Sequence, residues 1–224
     1  MDRVEFRRRI MAANDAAAAA LRPRFASSGT LVVDVVSSPG AGKTSLLEAT
    51  ARRAPDSLRL GAVVGDIATE LDADRLRAAG MPAHQIVTGG ACHLDARFVT
   101  DALDATDLLP LDVLFIENVG NLVCPASYDL GEDFKVALLS VAEGDDKPFK
   151  YPAIFARASV TLITKIDLLG AAPFDLGKAI QQIETLNPEA RIIPTSIATG
   201  AGMETWWELL ESELEAKRPA HATS

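Results

Sequence analysis

The stretch of sequence that decides the fold is Val36-Ser37-Ser38-Pro39-Gly40-Ala41-Gly42-Lys43-Thr44. It follows a β-rich apolar run at 31–36 and leads into a helical pattern that opens at Lys43. The glycines let successive backbone N–H groups turn towards an anion, and the N-terminus of the following helix adds its positive dipole end. A strand, a glycine-rich loop and a helix in this order predict a phosphate-binding P-loop. Ser37 stands where this motif commonly has its first glycine.

The residues of this loop predict the contacts of a nucleoside triphosphate. We expect the Lys43 ammonium to reach the β- and γ-phosphates and the Thr44 hydroxyl to ligate Mg²⁺. The nucleotide-binding residues predicted in the loop are Ser38, Gly40, Ala41, Gly42, Lys43, Thr44 and Ser45.

Two other strand patterns end in a carboxylate. Asp112-Val113-Leu114-Phe115-Ile116-Glu117 is an apolar run that would deliver Glu117 to the phosphate end of the sheet, where it could hold Mg²⁺ through water. Asp66 closes a second run and would orient the attacking water or bind Mg²⁺, although each acid is also compatible with a structural or solvated strand end. Gly120 is predicted to donate its N–H to the γ-phosphate. The predicted catalytic residues are Lys43, Asp66, Glu117 and Gly120.

A base-reading element is predicted at Ile163-Thr164-Lys165-Ile166-Asp167, at the end of a strand. The Asp167 carboxylate would accept hydrogen bonds from the N1–H and N2–H₂ groups of guanine, which adenine lacks, and a buried carboxylate left unpaired is costly. Thr164 occupies the position where Asn is commoner, and Lys165 would lie along the base. A loop at Thr195-Ser196-Ile197-Ala198 would complete the base site through Ser196 and Ile197.

The chain alternates between strand and helix patterns on both sides of the P-loop. Strands are predicted at 31–36, 58–64, 85–87, 113–116, 160–163 and 191–193. Helices are predicted at 4–22, 70–79, 96–105, 134–142, 178–185 and 203–217, besides the helix that opens at Lys43. This alternation predicts an α/β fold of the P-loop NTPase type, with a mostly parallel sheet and helices on both faces.

The same pattern divides the chain into three parts. Pro23 is expected to end the first helix, and a turn is expected at Ser27-Ser28-Gly29. We therefore predict an N-terminal helical segment at 1–28 packed on the domain, a P-loop GTPase domain at 29–217, and a flexible tail at 218–224.

Composition narrows the class of protein. A length of 224 residues suits one domain, and a net charge of −9 argues against a general nucleic-acid surface. The two cysteines are too few for a disulfide framework, which predicts a reduced chain. No secretory signal or membrane-spanning apolar run is visible, so we expect a cytoplasmic protein that does not bind membranes.

The two cysteines are candidate metal ligands. Cys92 precedes His93, and Cys124 follows Glu117 by seven residues. Thiolate and imidazole groups are good ligands for Ni²⁺ and Zn²⁺. Free cysteines are more often small buried hydrophobes, so spacing alone leaves both interpretations open.

Longer stretches of sequence around these residues resemble those of a known family. Cys92-His93-Leu94-Asp95-Ala96, Glu117-Asn118-Val119-Gly120-Asn121-Leu122-Val123-Cys124-Pro125-Ala126 and Asp146-Lys147-Pro148-Phe149-Lys150-Tyr151-Pro152 resemble the hydrogenase nickel-incorporation GTPases, the HypB family. The P-loop stretch at Val36–Thr44 is similar to that family too. So is Gly65-Asp66, which is followed by Thr69, Asp72 and Arg75. The resemblance extends from about residue 10 to residue 215.

The resemblance implies a GTPase that binds GTP or GDP with Mg²⁺ and delivers nickel to a [NiFe]-hydrogenase precursor. The implied Ni²⁺ or Zn²⁺ ligands are Cys92, His93 and Cys124, beside a switch segment and at a GTP-dependent homodimer interface. The implied partners are a hydrogenase maturation accessory protein and the hydrogenase large-subunit precursor. Some relatives have a further His where this chain has Arg97, so a second ligand set is not expected. A cysteine- or histidine-rich N-terminal nickel site is not expected either.

Other functions stay open at this point. The urease accessory GTPases are a sibling family, but they use a Cys-Pro-His motif, whereas here Cys92-His93 and Cys124-Pro125 stand apart. A metal-storage or regulatory switch protein with negligible turnover is a second alternative. A small-molecule kinase has no use for the Thr164-Lys165-Asp167 element.

Overall fold

A parallel sheet organises the chain. A computed structural model of the protein describes residues 2–67 and 71–218, and these residues contain a seven-stranded sheet in which all neighbouring strands are parallel. The strands are β1 (Leu31–Ser37), β2 (Leu60–Asp66), β3 (Ala83–Val87), β4 (Val113–Glu117), β5 (Phe134–Ser140), β6 (Val160–Thr164) and β7 (Arg191–Pro194). Their order in space is β3-β2-β4-β1-β5-β6-β7. The predicted α/β fold of the P-loop NTPase type is confirmed.

Helices cover both faces of the sheet. They are α1 (Arg3–Ser28), α2 (Lys43–Arg53), α3 (Leu71–Ala78), α4 (Ala96–Asp104), α5 (Lys147–Lys150), α6 (Pro152–Phe155), α7 (Leu176–Leu186) and α8 (Met203–Lys217). Alternate residues of β1 point to opposite faces, so Val33 packs in the core with Leu46 of α2 and Trp206 of α8. Val32 packs in a second core with Phe25 of α1. Among the described residues, no helix combines the length and the apolar character that crossing a membrane requires.

The carboxyl end of β1 is the point where the sheet changes direction. The chain goes from β1 to β2 and β3 on one side, and it later adds β5, β6 and β7 on the other side. Ligands of open parallel sheets bind at the carboxyl ends of the strands beside such a point. The loop that follows β1 is therefore placed where a ligand is expected.

The segment predicted as a helix at 134–142 is a strand, so that prediction was wrong. β5 pairs with both β1 and β6, and all seven of its residues are buried. Val136 and Leu138 pack into one core, whereas Ala137 and Leu139 pack into another on the opposite face. A strand that is buried on both faces has a continuous apolar sequence, which periodicity cannot separate from a buried helix.

The first helix extends beyond Pro23, which was predicted to end it. α1 runs to Ser28 and ends at Gly29, whose φ of 64° is left-handed. An internal proline removes a helical hydrogen bond and costs about 3 kcal/mol. Leu21 and Phe25, on either side of the proline, are both 1% exposed in the core, and their packing offsets that cost. The predicted turn is thus confined to Gly29.

Some predicted positions lie at or beyond the edges of the described residues. The helix predicted at 70–79 is α3, which begins at Leu71, while Glu70 and Thr69 lie outside the described residues. Only Arg218 of the predicted tail is described, and its guanidinium donates a hydrogen bond of 3.0 Å to Asp112.

Candidate nucleotide and metal site

The P-loop forms a tight turn between β1 and α2. Gly40 and Gly42 have φ values of 78° and 104°, in the left-handed region that disfavours other residues. α2 begins directly afterwards at Lys43, so its unpaired N–H groups face the space above the sheet. This geometry is that of an anion-binding loop.

Three predicted phosphate and Mg²⁺ residues meet below the loop. The Lys43 ammonium lies 3.4 Å from the Ser37 hydroxyl, and the Thr44 hydroxyl donates to Glu117 Oε1 at 2.8 Å. The Glu117 side chain is 2% exposed, and its Oε2 atom is buried without a hydrogen-bond partner among the described residues. A buried polar atom in this state normally has a ligand, a water molecule or an ion to satisfy it.

The environment of Glu117 changes its acidity. Burial raises its pKa from the ordinary 4.5 to about 7, although Lys43 and the Thr44 hydrogen bond act in the opposite direction. Burial of a carboxylate favours its neutral form unless a positive charge compensates. The orphaned oxygen, the hydroxyl and the elevated pKa fit a group that is completed by a divalent cation, so these residues fit Mg²⁺.

A cavity of about 410 Å³ opens in front of these side chains. It lies between the P-loop and the ends of β2 and β4, and so contains predicted residues from all three segments. Its lining residues are Pro39, Gly40, Gly42, Lys43, Thr44, Ser45, Gly65, Asp66, Ile67, Asp72, Arg75, Glu117, Asn118, Val119, Gly120 and Lys165. The cavity brings the four predicted catalytic residues together, whereas Ser38 and Ala41 lie outside its lining.

Gly120 lies against the P-loop with no room for a side chain. A Cβ at this position would stand 2.9 Å from Pro39 Cγ and 3.0 Å from Pro39 N. The segment that follows β4 is therefore in direct backbone contact with the phosphate loop. Any movement of one must be accommodated by the other.

The predicted base-reading residues adjoin the other side of the P-loop. The Thr164 hydroxyl donates to Ala41 O at 2.8 Å, and the Lys165 ammonium donates to Gly40 O at 2.7 Å. Lys165 has a φ of 60°, and among the described residues it is the non-glycine residue with left-handed backbone. Such strain is typical of functional sites. These bonds hold the predicted base-reading segment, Thr164–Asp167, against the P-loop.

Asp167 and the last predicted loop also meet. The Ser196 hydroxyl donates to Asp167 Oδ1 at 2.5 Å, and Ser196 is fully buried while Ile197 is 39% exposed. The hydroxyl fixes one carboxylate oxygen, which orients the carboxyl group. None of Thr164, Asp167, Ser196 and Ile197 lines the 410 Å³ cavity, which Lys165 alone of the base-loop residues reaches among the described chain.

Cys92, His93 and Cys124 form a cluster on a neighbouring part of the same edge. One ligand atom from each lies within 4.8 Å of the others, and all three side chains are partly exposed. The two Sγ atoms are 2.8 Å apart, and Cys92 Sγ is 3.5 Å from His93 Nδ1. The His93 ring stacks on Tyr128 with centroids 3.9 Å apart. Two thiols and an imidazole form a donor set suited to Ni²⁺ or Zn²⁺.

The surroundings of the Cys124 thiol and of the His93 imidazole favour the uncharged form of both groups. The hydrogen bond with Cys92, together with burial, raises the pKa of the Cys124 thiol, so that it is neutral at pH 7. Burial lowers the pKa of His93, which keeps its imidazole neutral and its lone pair available. Binding of a metal ion to Cys124 as a thiolate therefore releases a proton.

Sequence reasoning missed the residues that connect the two sites. Leu94 packs closely on Gly65: a Cβ added to Gly65 would be 2.8 Å from Leu94 Cγ. The Leu94 amide donates a hydrogen bond of 3.0 Å to Asn118 Oδ1. Asn118 directly follows Glu117, the last residue of β4. The signal available in the sequence was a polar residue, Asn118, immediately after an apolar strand. Its buried partners are distant in the chain and could not be inferred.

The family model described as "CobW/HypB/UreG, nucleotide-binding domain" matches residues 31–194. The chain is also 52% identical over 195 residues to the Hydrogenase maturation factor HypB of Escherichia coli K12, covering 86% of this chain. The chain belongs to the HypB family. It spans 66% of the length of the Escherichia coli HypB.

Two further HypB comparisons cover almost the whole of this chain. The Hydrogenase/urease maturation factor HypB of Helicobacter pylori J99 is 41% identical over 219 residues, covering 96% of this chain and 90% of that protein. The crystal structure of HypB from Helicobacter pylori in complex with nickel matches with a TM-score of 0.86 and 40% identity, covering 93% of this chain and 99% of that one. The HypB resemblance noted in the sequence is confirmed.

Proposed function

We propose that this HypB-family protein hydrolyses GTP to GDP and phosphate and couples that cycle to the binding and delivery of nickel to a [NiFe]-hydrogenase precursor. Membership of a nucleotide-binding family and the P-loop geometry support the first part. The donor set of the cysteine–histidine cluster supports the second.

The proposed preference for guanine rests on Asp167. Its carboxylate is oriented by the Ser196 hydroxyl. Held in this way, it would accept two N–H groups from guanine. Adenine presents an acceptor at N1 and would leave the carboxylate desolvated and unpaired. Lys165, which bonds to Gly40 O, would lie along the base and join its loop to the phosphate loop.

The chain's own groups have distinct roles in the proposed hydrolysis. Lys43 and the N–H groups of Gly40, Gly42 and neighbouring loop residues would bind the phosphates and stabilise the charge that develops on them. Thr44, Glu117 and Asp66 would hold Mg²⁺, which would supply positive charge to offset the negative charge of the phosphates.

Two residues are proposed to respond to the γ-phosphate end. Asp66 would orient the attacking water, and the Gly120 N–H would donate to the γ-phosphate. Both line the same cavity as Lys43. The segment after Gly120 would relax when phosphate leaves, as switch loops do.

The observation that carries the proposal is the position of the metal cluster. Cys124 follows Gly120 by four residues, and Cys92 and His93 precede Leu94, which bonds to Asn118. Three protein ligands leave a four-coordinate ion one position for exchange, which suits an ion that is passed on. A storage site would be expected to enclose its ion.

Homodimerisation with GTP bound is part of the proposal. Val123 is apolar, stands beside the ligand Cys124 and is 61% exposed, so it is available to a second copy of the chain. The proposed partners are a hydrogenase maturation accessory protein and the hydrogenase large-subunit precursor, in the cytoplasm. Urease is a second candidate target, which the name of the Helicobacter pylori relative favours. Zn²⁺ is a second candidate ion, because the same donors bind it.

One experiment tests the function as a whole. The purified protein is assayed for phosphate release from GTP and ATP, for bound Ni²⁺ and Zn²⁺, and for size in GDP and in a non-hydrolysable GTP analogue. We expect GTP-selective turnover that Lys43→Ala abolishes, metal binding that Cys92→Ala abolishes, and a larger species with the analogue. Metal binding without turnover above background would support a storage or regulatory protein instead.

A further inference from the structure

Asn118 sits at the junction of the nucleotide and metal sites. It is 1% exposed, follows Glu117 directly, and its own backbone N–H donates to Val35 O at 3.0 Å. Its side-chain oxygen accepts two backbone N–H groups, from Leu94 at 3.0 Å and from Val119 at 3.1 Å. One oxygen thus joins the segment after Cys92 and His93 to the segment before Gly120.

The orientation of this amide is fixed from the opposite side. Asn118 Nδ2 donates to Asp34 Oδ1 at 3.2 Å, and Asp34 is fully buried on β1. The other Asp34 oxygen pairs with the Lys135 ammonium, which is held also by Glu132 at 3.1 Å. A flipped amide would place two oxygens against each other, so the acceptor oxygen must face Leu94 and Val119.

We propose that Asn118 is the positioning residue that makes the metal site sensitive to the nucleotide, by holding Leu94 and Val119 on one shared acceptor. This inference rests on the function proposed above. When Val119 moves with Gly120, the shared oxygen loses or shifts one of its two donors. The Leu94 amide, two residues from Cys92, must then take a new position.

Asn14 offers a matched comparison within the same protein. It lies on α1, is 2% exposed, and accepts a hydrogen bond from the Ala96 amide at 2.9 Å. Its side-chain amide also donates to Asp129 O at 2.9 Å. Asn14 therefore contacts both segments that carry the proposed ligands, the one after His93 and the one after Cys124. Within residues 2–67 and 71–218, its side-chain hydrogen bonds go to Ala96 and Asp129 and none goes to the segment between Glu117 and Gly120. Its loss should loosen the metal site without removing the link to the nucleotide.

The test is the ratio of Ni²⁺ dissociation constants in GDP and in a non-hydrolysable GTP analogue, measured by competition with a colorimetric chelator. The intact protein is compared with Asn118→Ala and Asn14→Ala. In the parent we expect the two dissociation constants to differ by about 5- to 150-fold, the usual range of coupling between two sites. In Asn118→Ala we expect them to differ by less than about twofold. Asn14→Ala should weaken Ni²⁺ binding by the same factor in both states and keep the parent's ratio.

A second variant covers the case in which Asn118→Ala does not fold. Asn118→Ser keeps a hydroxyl donor near Asp34, but its side chain is one atom shorter, and it should lose the ratio in the same way. Hydrogen exchange at the Leu94 amide gives a separate readout: exchange should differ between nucleotide states in the parent and be equal in Asn118→Ser.

The outcomes separate this inference from the proposed function. A parent-like ratio in both Asn118 variants would overturn the role of Asn118, as would an equal loss of the ratio in Asn14→Ala. A parent that binds both GTP and Ni²⁺ with a ratio of one would overturn the inference while leaving the two sites standing. A parent that binds neither would overturn the proposed function, and the inference with it.

Discussion

Thr44 and Glu117, 73 residues apart in the chain, are joined by a hydrogen bond of 2.8 Å from the threonine hydroxyl to Glu117 Oε1. The bond brings the start of α2 and the end of β4 together at the bottom of the cavity. Glu117 Oε2 is buried and has no hydrogen-bond partner in the part of the chain that the structure describes, so the pair can accept a further group. The first two predictions follow from this arrangement.

Removal of the Thr44 hydroxyl should abolish GTP hydrolysis through loss of Mg²⁺. Loss of one such contact typically costs about 2–4 kcal/mol of transition-state stabilisation, and Lys43→Ala should have an effect of similar size. Turnover is measured at limiting and at saturating Mg²⁺, with Thr100→Ala on α4 as a control that removes a hydroxyl away from the cavity. A Thr44→Ala protein with parental turnover at limiting Mg²⁺ would contradict the assignment.

Glu117→Gln should stabilise the nucleotide-free, Mg²⁺-free protein at pH 8 and leave it unchanged at pH 4. The folded protein holds the carboxyl proton up to about pH 7, while the unfolded chain loses it near 4.5. Folding stability of the parent therefore falls as pH rises through this window. The upper limit of the effect is about 3.5 kcal/mol, because the pKa differs by about 2.5 units and each unit corresponds to roughly 1.4 kcal/mol.

The measurement is urea unfolding of both proteins between pH 4 and pH 8. Glutamine keeps the shape of the side chain and an acceptor for Thr44, so the difference isolates the ionisation. A constant difference in free energy of unfolding across this range would show that Glu117 has an ordinary pKa.

Much of the candidate site was predictable because its residues lie in short contiguous stretches of sequence. The loop from Ser38 to Thr44 is specified by local backbone needs, which sequence displays directly. The strand β5 at Phe134–Ser140 was predicted as part of a helix at 134–142, because burial on both faces removes the alternation that marks most strands. Asn118 and Asn14 were missed because, apart from the neighbouring Val119, their side-chain partners lie 24 to 115 residues away, which no local pattern contains.

Asp167→Asn should weaken GTP binding and favour xanthine nucleotide. The amide presents a donor where guanine also has N–H donors, whereas xanthine offers a carbonyl at C2 that this donor can meet. Affinities for GTP, ATP and XTP are measured by competition with a fluorescent nucleotide. Asp101→Asn, an exposed acid on α4, controls for the change of net charge. Equal affinity of the parent for ATP and GTP would refute the base-reading role.

Gly120→Ala should impair nucleotide binding without unfolding the protein. The added Cβ would press on Pro39 at 2.9 Å, so either the phosphate loop or the segment after β4 must shift. Gly177→Ala on α7 is a matched control, because the Cβ there meets its nearest atom at an ordinary 3.5 Å. Binding of a fluorescent GTP analogue and thermal unfolding are measured on both. Parental GTP affinity in Gly120→Ala would show that the contact between Gly120 and Pro39 can adjust without affecting nucleotide binding.

The most direct test of nickel delivery is the rate at which the Ni²⁺-loaded protein passes its ion to a chelator during a single turnover of GTP. The Cys92–His93–Cys124 cluster and the cavity share the segments around Leu94 and Asn118, so hydrolysis should accelerate release. The rate should rise with GTP, stay low with a non-hydrolysable analogue, and stay low with GTP in Lys43→Ala. Identical release rates in all three would mean that the cluster and the nucleotide site are neighbours without communication.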